Sequence, residues 1–379
     1  MDPCWLGLEG VKRTPNEDTM EFYSAQDIYR KLNHPGLRLA AVKTVRALRK
    51  RHLLVRIDTN DACNLRCVMC YFSDPNRKPM ARPMSIEMFE SIAEQVFPRS
   101  RYLYLSCGAE PFVTTYFDKL LDITGPYQVP FISYCTNGLL MKDKFIEATL
   151  RNRVSEVIVS VDGGTKETYE KIRVGGSWHT LNERLAAFCE ARKAHQGPVP
   201  ILRFNFTVQE GNCHELREFV AWAQQWSPET VQLRLFRSLD GALKQHDDLG
   251  TVEALMSALP ELRKQATEAG FRLLTMDTPD ERRDRIGADG SPFSGGLAAV
   301  DLADTKANPV NCQLPWFNLY ITPEGGVRPC TVYEPVGNLL TSTFADIEKG
   351  EAMTRLRKNL SKNPEDVCIK CQLTGASGV

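Results

Sequence analysis

Between residues 53 and 276 the apolar positions fall into short runs that alternate with longer amphipathic stretches. The runs at 53–59, 102–106, 130–135, 155–161, 201–208 and 231–236 are rich in Val, Ile, Leu, Tyr and Phe, which predicts strands. The stretches 85–97, 114–122, 142–151, 165–172, 178–195 and 213–225 carry apolar residues at helical spacing, which predicts helices. Strands separated by helices imply parallel βαβ units, so the fold class is α/β. Six such units predict a partial (β/α)6 TIM barrel. A further helix and a short strand, FRLLT, are expected within 251–275.

The pattern divides the chain into four parts. Residues 1–50 are expected to be an N-terminal helical extension, because Ile28 to Leu48 mixes helical apolar spacing with many Lys and Arg. Residues 51–275 form the barrel. Residues 276–308 are rich in Gly, Asp and Arg and read as a linker. Residues 309–379 form a small α+β domain, in which Leu319 to Thr322, the turn Pro323-Glu324-Gly325-Gly326 and Val327 predict a β-hairpin.

Cysteines sharpen this outline. Cys63, Cys67 and Cys70 follow the first predicted strand as C-x3-C-x2-C. Three thiolates on one loop can hold three irons of a cubane cluster and leave the fourth open to a chelating substrate or cofactor. Structural zinc needs four closed ligands, and this loop supplies three. Cys312 and Cys330 bracket the predicted hairpin, and Cys368 and Cys371 sit together as CIKC. Four thiolates make a closed site that suits structural zinc or a 4Fe–4S cluster, and chemistry alone leaves both open. Cys4, Cys107, Cys135, Cys189 and Cys213 are expected as small buried hydrophobes. His179 and His214 read as surface residues, and Trp222 and Trp226 at i, i+4 as packing residues.

With these motifs in order, the chain resembles the radical S-adenosylmethionine superfamily over roughly residues 50 to 240. Gly108-Ala109-Glu110-Pro111 resembles that family's Gly-Gly-Glu motif, with Ala109 in place of the second glycine. Thr136-Asn137-Gly138 ends a run like the fourth strand, and Ser160 and Asp162 end one like the fifth. Arg173 follows, and ILRFNFTVQEGN resembles the sixth strand. The resemblance implies a 4Fe–4S cluster on Cys63, Cys67 and Cys70 whose open iron chelates S-adenosylmethionine. Glu110 would accept from the methionine amino group, with Gly108 allowing close backbone approach, and Arg173 would pair with the carboxylate. Ser160, Asp162 and Asn205 are candidates for the ribose, although Asp162 in VDGG also suits a turn cap. Met69 stands where an aromatic residue often stacks on adenine; its thioether can make a polarizable contact there.

The tail resembles a Twitch domain, a shortened SPASM domain, with an auxiliary 4Fe–4S cluster on Cys312, Cys330, Cys368 and Cys371. Its cysteine spacing looks most like that of the aminocyclitol dehydrogenases of butirosin assembly. The implied activity is that of a radical oxidoreductase: a 5′-deoxyadenosyl radical abstracts hydrogen, and a sugar, aminocyclitol or similar small molecule is dehydrogenated. Alternatives are a peptide-modifying maturase, a redox-neutral epimerase or dehydratase with Cys213 as hydrogen donor, and, from another class, a non-enzymatic zinc protein. An electron donor such as flavodoxin or ferredoxin would be the protein partner.

Composition narrows the classes further. At 379 residues the chain is long enough for two domains. Lys+Arg and Asp+Glu are both 47, so nothing in the net charge calls for nucleic acid. No apolar run is long enough for a membrane-spanning helix, and the first residues lack a signal pattern. Twelve cysteines in such a chain point to metal sites in a reducing cytoplasm.

Overall fold

A computed structural model describes residues 51–77, 83–236, 249–276, 312, 314–360 and 362–374. The expected N-terminal extension and, apart from Met276, the expected linker lie outside the described residues.

Seven parallel strands alternate with helices from Leu53 onward. The strands are β1 (Leu53–Ile57), β2 (Ser100–Leu105), β3 (Phe131–Thr136), β4 (Glu156–Ser160), β5 (Ile201–Val208), β6 (Thr230–Leu235) and β7 (Arg272–Met276). The connecting helices are α1 (Ile86–Val96), α2 (Phe117–Thr124), α3 (Asp143–Arg151), α4 (Lys166–Ile172), α5 (Trp178–Ala194), α6 (Leu216–Gln224) and α7 (Leu249–Glu268). Several begin where a hydroxyl can cap the first turn. Ser85, Thr165 and Ser177 accept the N–H groups of Met88, Thr168 and Thr180.

Each strand has two unlike faces. Val55, Leu103, Val157, Phe204 and Val231 are fully buried on one of them. Arg56, Tyr104, Glu156, Arg203 and Gln232 alternate with these apolar neighbours. The apolar face packs on the helices: Phe206 lies 4.4 Å from Phe219 and Phe204 5.1 Å from Trp222, centroid to centroid. Burying each such ring stabilises the fold by roughly 2–3 kcal/mol. The polar face is joined across strands, because Arg203 reaches both Glu156 and Gln232.

The C-terminal hairpin extends the barrel sheet instead of forming one of its own. Strands β8 (Asn318–Ile321), β9 (Gly326–Arg328) and β10 (Gly337–Asn338) follow the short helix α8 (Leu314–Phe317). β8 pairs in parallel with β1, from Leu54↔Asn318 to Ile57↔Ile321. The strand order is β10-β9-β8-β1-β2-β3-β4-β5-β6-β7, an open sheet. The β8–β9 turn depends on Gly325, whose φ of +80° suits glycine. Three helices close the chain: α9 (Phe344–Lys349), α10 (Glu351–Asn359) and α11 (Asp366–Thr374).

Candidate functional site

The loop after β1 carries the first cysteine group. It is pinned to the end of α4 by two backbone bonds, Arg66 N–H to Val174 O and Val68 N–H to Ile172 O, each 2.9 Å. Ser73 Oγ closes the turn by donating to Cys67 O at 2.6 Å. Burial pushes the Cys67 thiol up to about 11 and raises that of Cys63. The charges of Cys70 and Cys63 add to the rise at Cys67, so the three thiols lie within electrostatic reach. Buried thiols of this kind become thiolates when a cation or metal offsets the charge.

Glu110 lies 2% exposed at the end of this loop's neighbouring strands. Its carboxyl accepts from Thr136 Oγ1 at 2.7 Å and from the Asn137 N–H at 2.7 Å. Burial raises it to about 7, against the pull of those two donors. Asn137 also donates to Asn64 Oδ1 at 2.8 Å and to Cys63 Sγ at 3.9 Å, which ties β3 to the cysteine loop. Gly108 donates to Asp58 Oδ1 at 3.1 Å, and its carbonyl accepts from Tyr71 Oη at 2.8 Å. A Cβ at Gly108 would stand 2.7 Å from Asp58 Oδ2, so the position admits no side chain without movement.

Arg173 and Asp162 are joined to each other. The guanidinium donates to Asp162 Oδ2 at 2.5 Å and to the Val161 carbonyl at 2.8 Å. The other Asp162 oxygen accepts the Thr207 N–H at 2.6 Å, and Asp162 has a φ of +64°. The pair thus knits the ends of β4 and β5 beneath the cysteine loop. Ser160 Oγ lies 3.4 Å from Cys135 Sγ, and Asn205 Oδ1 accepts from Arg203 Nε at 3.0 Å. Met69 Sδ accepts from Gln209 Nε2 at 3.8 Å. Cys213 opens the turn before α6, and its thiol donates to the Glu210 carbonyl at 3.7 Å.

The second cysteine group gathers around a small apolar cluster of Tyr333, Leu356 and Leu360. Cys312, Cys330 and Cys368 pack against it. Burial, with a smaller push from the charges of Cys330 and Cys371, brings Cys312 and Cys368 up to about 12. Among the described residues no three His, Cys, Asp or Glu side chains close around a point as for a single metal ion. The first group follows β1, while in the second Cys312 and Cys330 flank the β8–β9 hairpin and Cys368 and Cys371 lie on α11.

Both groups match known domains. Residues 57–212 fit the model of the radical SAM superfamily, and residues 312–372 fit SPASM, an iron-sulfur cluster-binding domain. The chain carries a radical SAM domain followed by a SPASM domain. A probable GTP 3′,8-cyclase of Methanococcus maripaludis is 23% identical over 50% of this chain and 61% of its own. The antilisterial bacteriocin subtilosin biosynthesis protein AlbA of Bacillus subtilis is 22% identical over 83% of this chain and 64% of its own. The chain thus spans less than two thirds of the length of these curated relatives. The Streptococcus suis SuiB structure bound to precursor peptide SuiA overlays 91% of this chain and 76% of its own, with 16% identity and a TM-score of 0.62. That likeness establishes the partial-barrel fold.

The cofactors of a radical SAM chain with a SPASM domain are S-adenosylmethionine, the 4Fe–4S cluster that binds it and an auxiliary cluster. The residues present fit these groups. Soft thiolate donors suit iron–sulfur clusters, and both sets of cysteines are brought together. Among the described residues no helix is long and apolar enough to cross a membrane.

A cleft of about 820 Å³ opens between the cysteine loop and the hairpin. Its lining includes Asp58, Asn60, Tyr71, Tyr320, Arg328 and Asn338. Sequence reasoning missed Asp58, Asn137 and Tyr320. Asn137 had a signal in the Thr136-Asn137-Gly138 run, whereas Asp58 and Tyr320 become neighbours only through the β1–β8 pairing.

Proposed function

We propose that this protein is a radical SAM oxidoreductase that dehydrogenates a substrate lying in the cleft between its first cysteine loop and the C-terminal hairpin. The observation that carries this reading is the placement of that cleft. Tyr71, next to Cys70, forms part of one wall, and the hairpin between Cys312 and Cys330 forms the other. A substrate there would lie beside the first cysteine loop and against the hairpin of the second domain, and its dehydrogenation would remove a hydrogen atom, release a proton to solvent and pass one electron to the auxiliary cluster.

Cys63, Cys67 and Cys70 would hold the first cluster, and Cys312, Cys330, Cys368 and Cys371 the auxiliary one. When bound, the first cluster with S-adenosylmethionine supplies a hydrogen-abstracting radical, and the auxiliary cluster supplies an electron acceptor. Glu110 would accept from the methionine amino group, and Gly108 would leave space for its backbone. Arg173 would present its guanidinium to the methionine carboxylate while Asp162 fixes its orientation. Ser160 and Asn205 would meet the ribose, and Met69 the adenine. Tyr71 and Arg328 would line the path of the substrate.

The substrate class best supported is a residue of a peptide. The cleft is open and mixes polar with apolar surface, and two of the similar proteins are a bacteriocin biosynthesis protein and an enzyme bound to its precursor peptide. The cysteine spacing supports a second reading, oxidation of a sugar or aminocyclitol. Anaerobic turnover of reconstituted protein with peptide and aminocyclitol candidates, scored by mass, tests both. Loss of two hydrogens supports dehydrogenation. An unchanged mass indicates an epimerase and loss of water a dehydratase, and either overturns it.

A further inference from the structure

The Gly108 backbone is held at both polar atoms by side chains that come from elsewhere in the fold. Its N–H donates to Asp58 Oδ1 at 3.1 Å, and its carbonyl accepts from Tyr71 Oη at 2.8 Å. Asp58 sits one residue past β1 and is 6% exposed. Its second oxygen, Oδ2, accepts the Tyr320 hydroxyl. Tyr320 belongs to β8, inside the segment bracketed by Cys312 and Cys330. Parallel pairing of β8 with β1 places Tyr320 beside Arg56, two residues before Asp58. A buried carboxylate that accepts from several donors is strongly oriented, because each broken bond would leave a buried polar group unmet.

These contacts form one continuous path. It runs from the hairpin of the auxiliary domain through Tyr320 and Asp58 to Gly108. Tyr71, beside Cys70, completes the grip from the other side. Space at Gly108 is tight, since a Cβ there would meet Asp58 Oδ2 at 2.7 Å and Tyr71 Oη at 3.2 Å. The height of the Gly108 backbone is therefore set jointly by the cysteine loop and by the auxiliary domain.

We propose that Asp58 and Tyr320 are positioning residues through which the auxiliary domain sets the S-adenosylmethionine pocket at Gly108. The inference rests on the enzyme reading above and adds a link between the two domains. It gives β8 a role beyond carrying the hairpin that brings Cys330 back toward Cys312. When the hairpin is ordered, the Tyr320 hydroxyl orients Asp58, and Asp58 holds Gly108 where the methionine part of the cofactor would lie. When the hairpin shifts, that orientation is lost without any change in the first cysteine group.

The test uses the full chain with both clusters reconstituted anaerobically and S-adenosylmethionine itself as the probe. Equilibrium dialysis gives its dissociation constant, and iron and sulfide content report the clusters. Asp58→Ala is expected to weaken binding about tenfold, the scale of one lost charge-assisted hydrogen bond. Tyr320→Phe is expected to weaken it several-fold with unchanged iron content, and this variant keeps the ring and tests the link if Asp58→Ala fails to fold. Hydrogen exchange supplies a readout that a purely structural role would not move. S-adenosylmethionine should slow exchange across residues 318–328 in the wild type and not in Tyr320→Phe. Binding by Tyr320→Phe within twofold of wild type, with the same exchange response, overturns the link while leaving the enzyme reading intact. A wild-type protein that does not bind S-adenosylmethionine overturns the enzyme reading itself.

Discussion

Glu110 is a carboxyl group whose surroundings bring it into the neutral range. Burial raises it to about 7, and the Thr136 hydroxyl and the Asn137 N–H only partly offset the rise. An ammonium group placed against it would favour the charged form. If Glu110 meets the methionine amino group, protons compete with the cofactor below about pH 7. Affinity for S-adenosylmethionine should then fall by up to tenfold per pH unit on going from 7 to 5. Isothermal titration over that range checks it, and Glu110→Gln should flatten the profile. The cysteines give a plainer test at the same scale. Cys63→Ala, Cys67→Ala and Cys70→Ala should each abolish reductive cleavage of S-adenosylmethionine. Appreciable 5′-deoxyadenosine from any of them would contradict the assignment of the first cluster.

At the scale of elements, the ends of the barrel strands are fastened by side chains that span neighbouring connections. Glu215, at the start of α6, accepts from the N–H groups of Gly164 and Thr165 and from the hydroxyls of Thr165 and Thr168. Burial alone would raise its carboxyl, but these four donors hold it below the ordinary value. Its contribution to stability is present above the unfolded value and is lost as pH falls through the lowered folded one. Glu215→Ala should leave several donors unmet and cost about 2–3 kcal/mol, read by thermal unfolding. The loss relative to wild type should shrink in acid. Gly164 is fixed by contact instead, since a Cβ would lie 2.5 Å from the Phe219 backbone nitrogen. Gly164→Ala should cost a further 1–3 kcal/mol or so by forcing α6 away from the β4 end.

Across the whole molecule, two cysteine groups in separate domains imply a division of labour. Two cubanes hold about eight irons per chain, and iron analysis of the reconstituted protein should find that number. About four irons with one zinc would make the second site a zinc ribbon. Cys368→Ala or Cys371→Ala should spare cleavage of S-adenosylmethionine and stop product formation, because hydrogen abstraction needs only the first cluster while a completed oxidation needs an acceptor. Solvent deuterium at the reacting carbon of the wild-type product, with mass otherwise unchanged, would point to an epimerase.

The sequence by itself determined the alternation of strands and helices, the partial barrel and both cysteine groups. These are local signals: apolar runs set strands, hydroxyl caps such as Ser85 and Thr165 set helix starts, and short cysteine spacings lie within one loop or turn. The hairpin was legible too, because Gly325 and Gly326 mark its turn. Tertiary structure alone decided where the hairpin goes. β8 meets β1 across more than two hundred and fifty residues, as in the Leu54↔Asn318 pair, and no local pattern encodes that pairing. The same pairing joins Asp58 to Tyr320. Packing likewise decided that Arg173 and Asp162 face each other, a match set by the ends of β4 and α4 and invisible in their spacing. Edge bonding of a sheet depends on which strands come side by side, and that is a property of the whole chain.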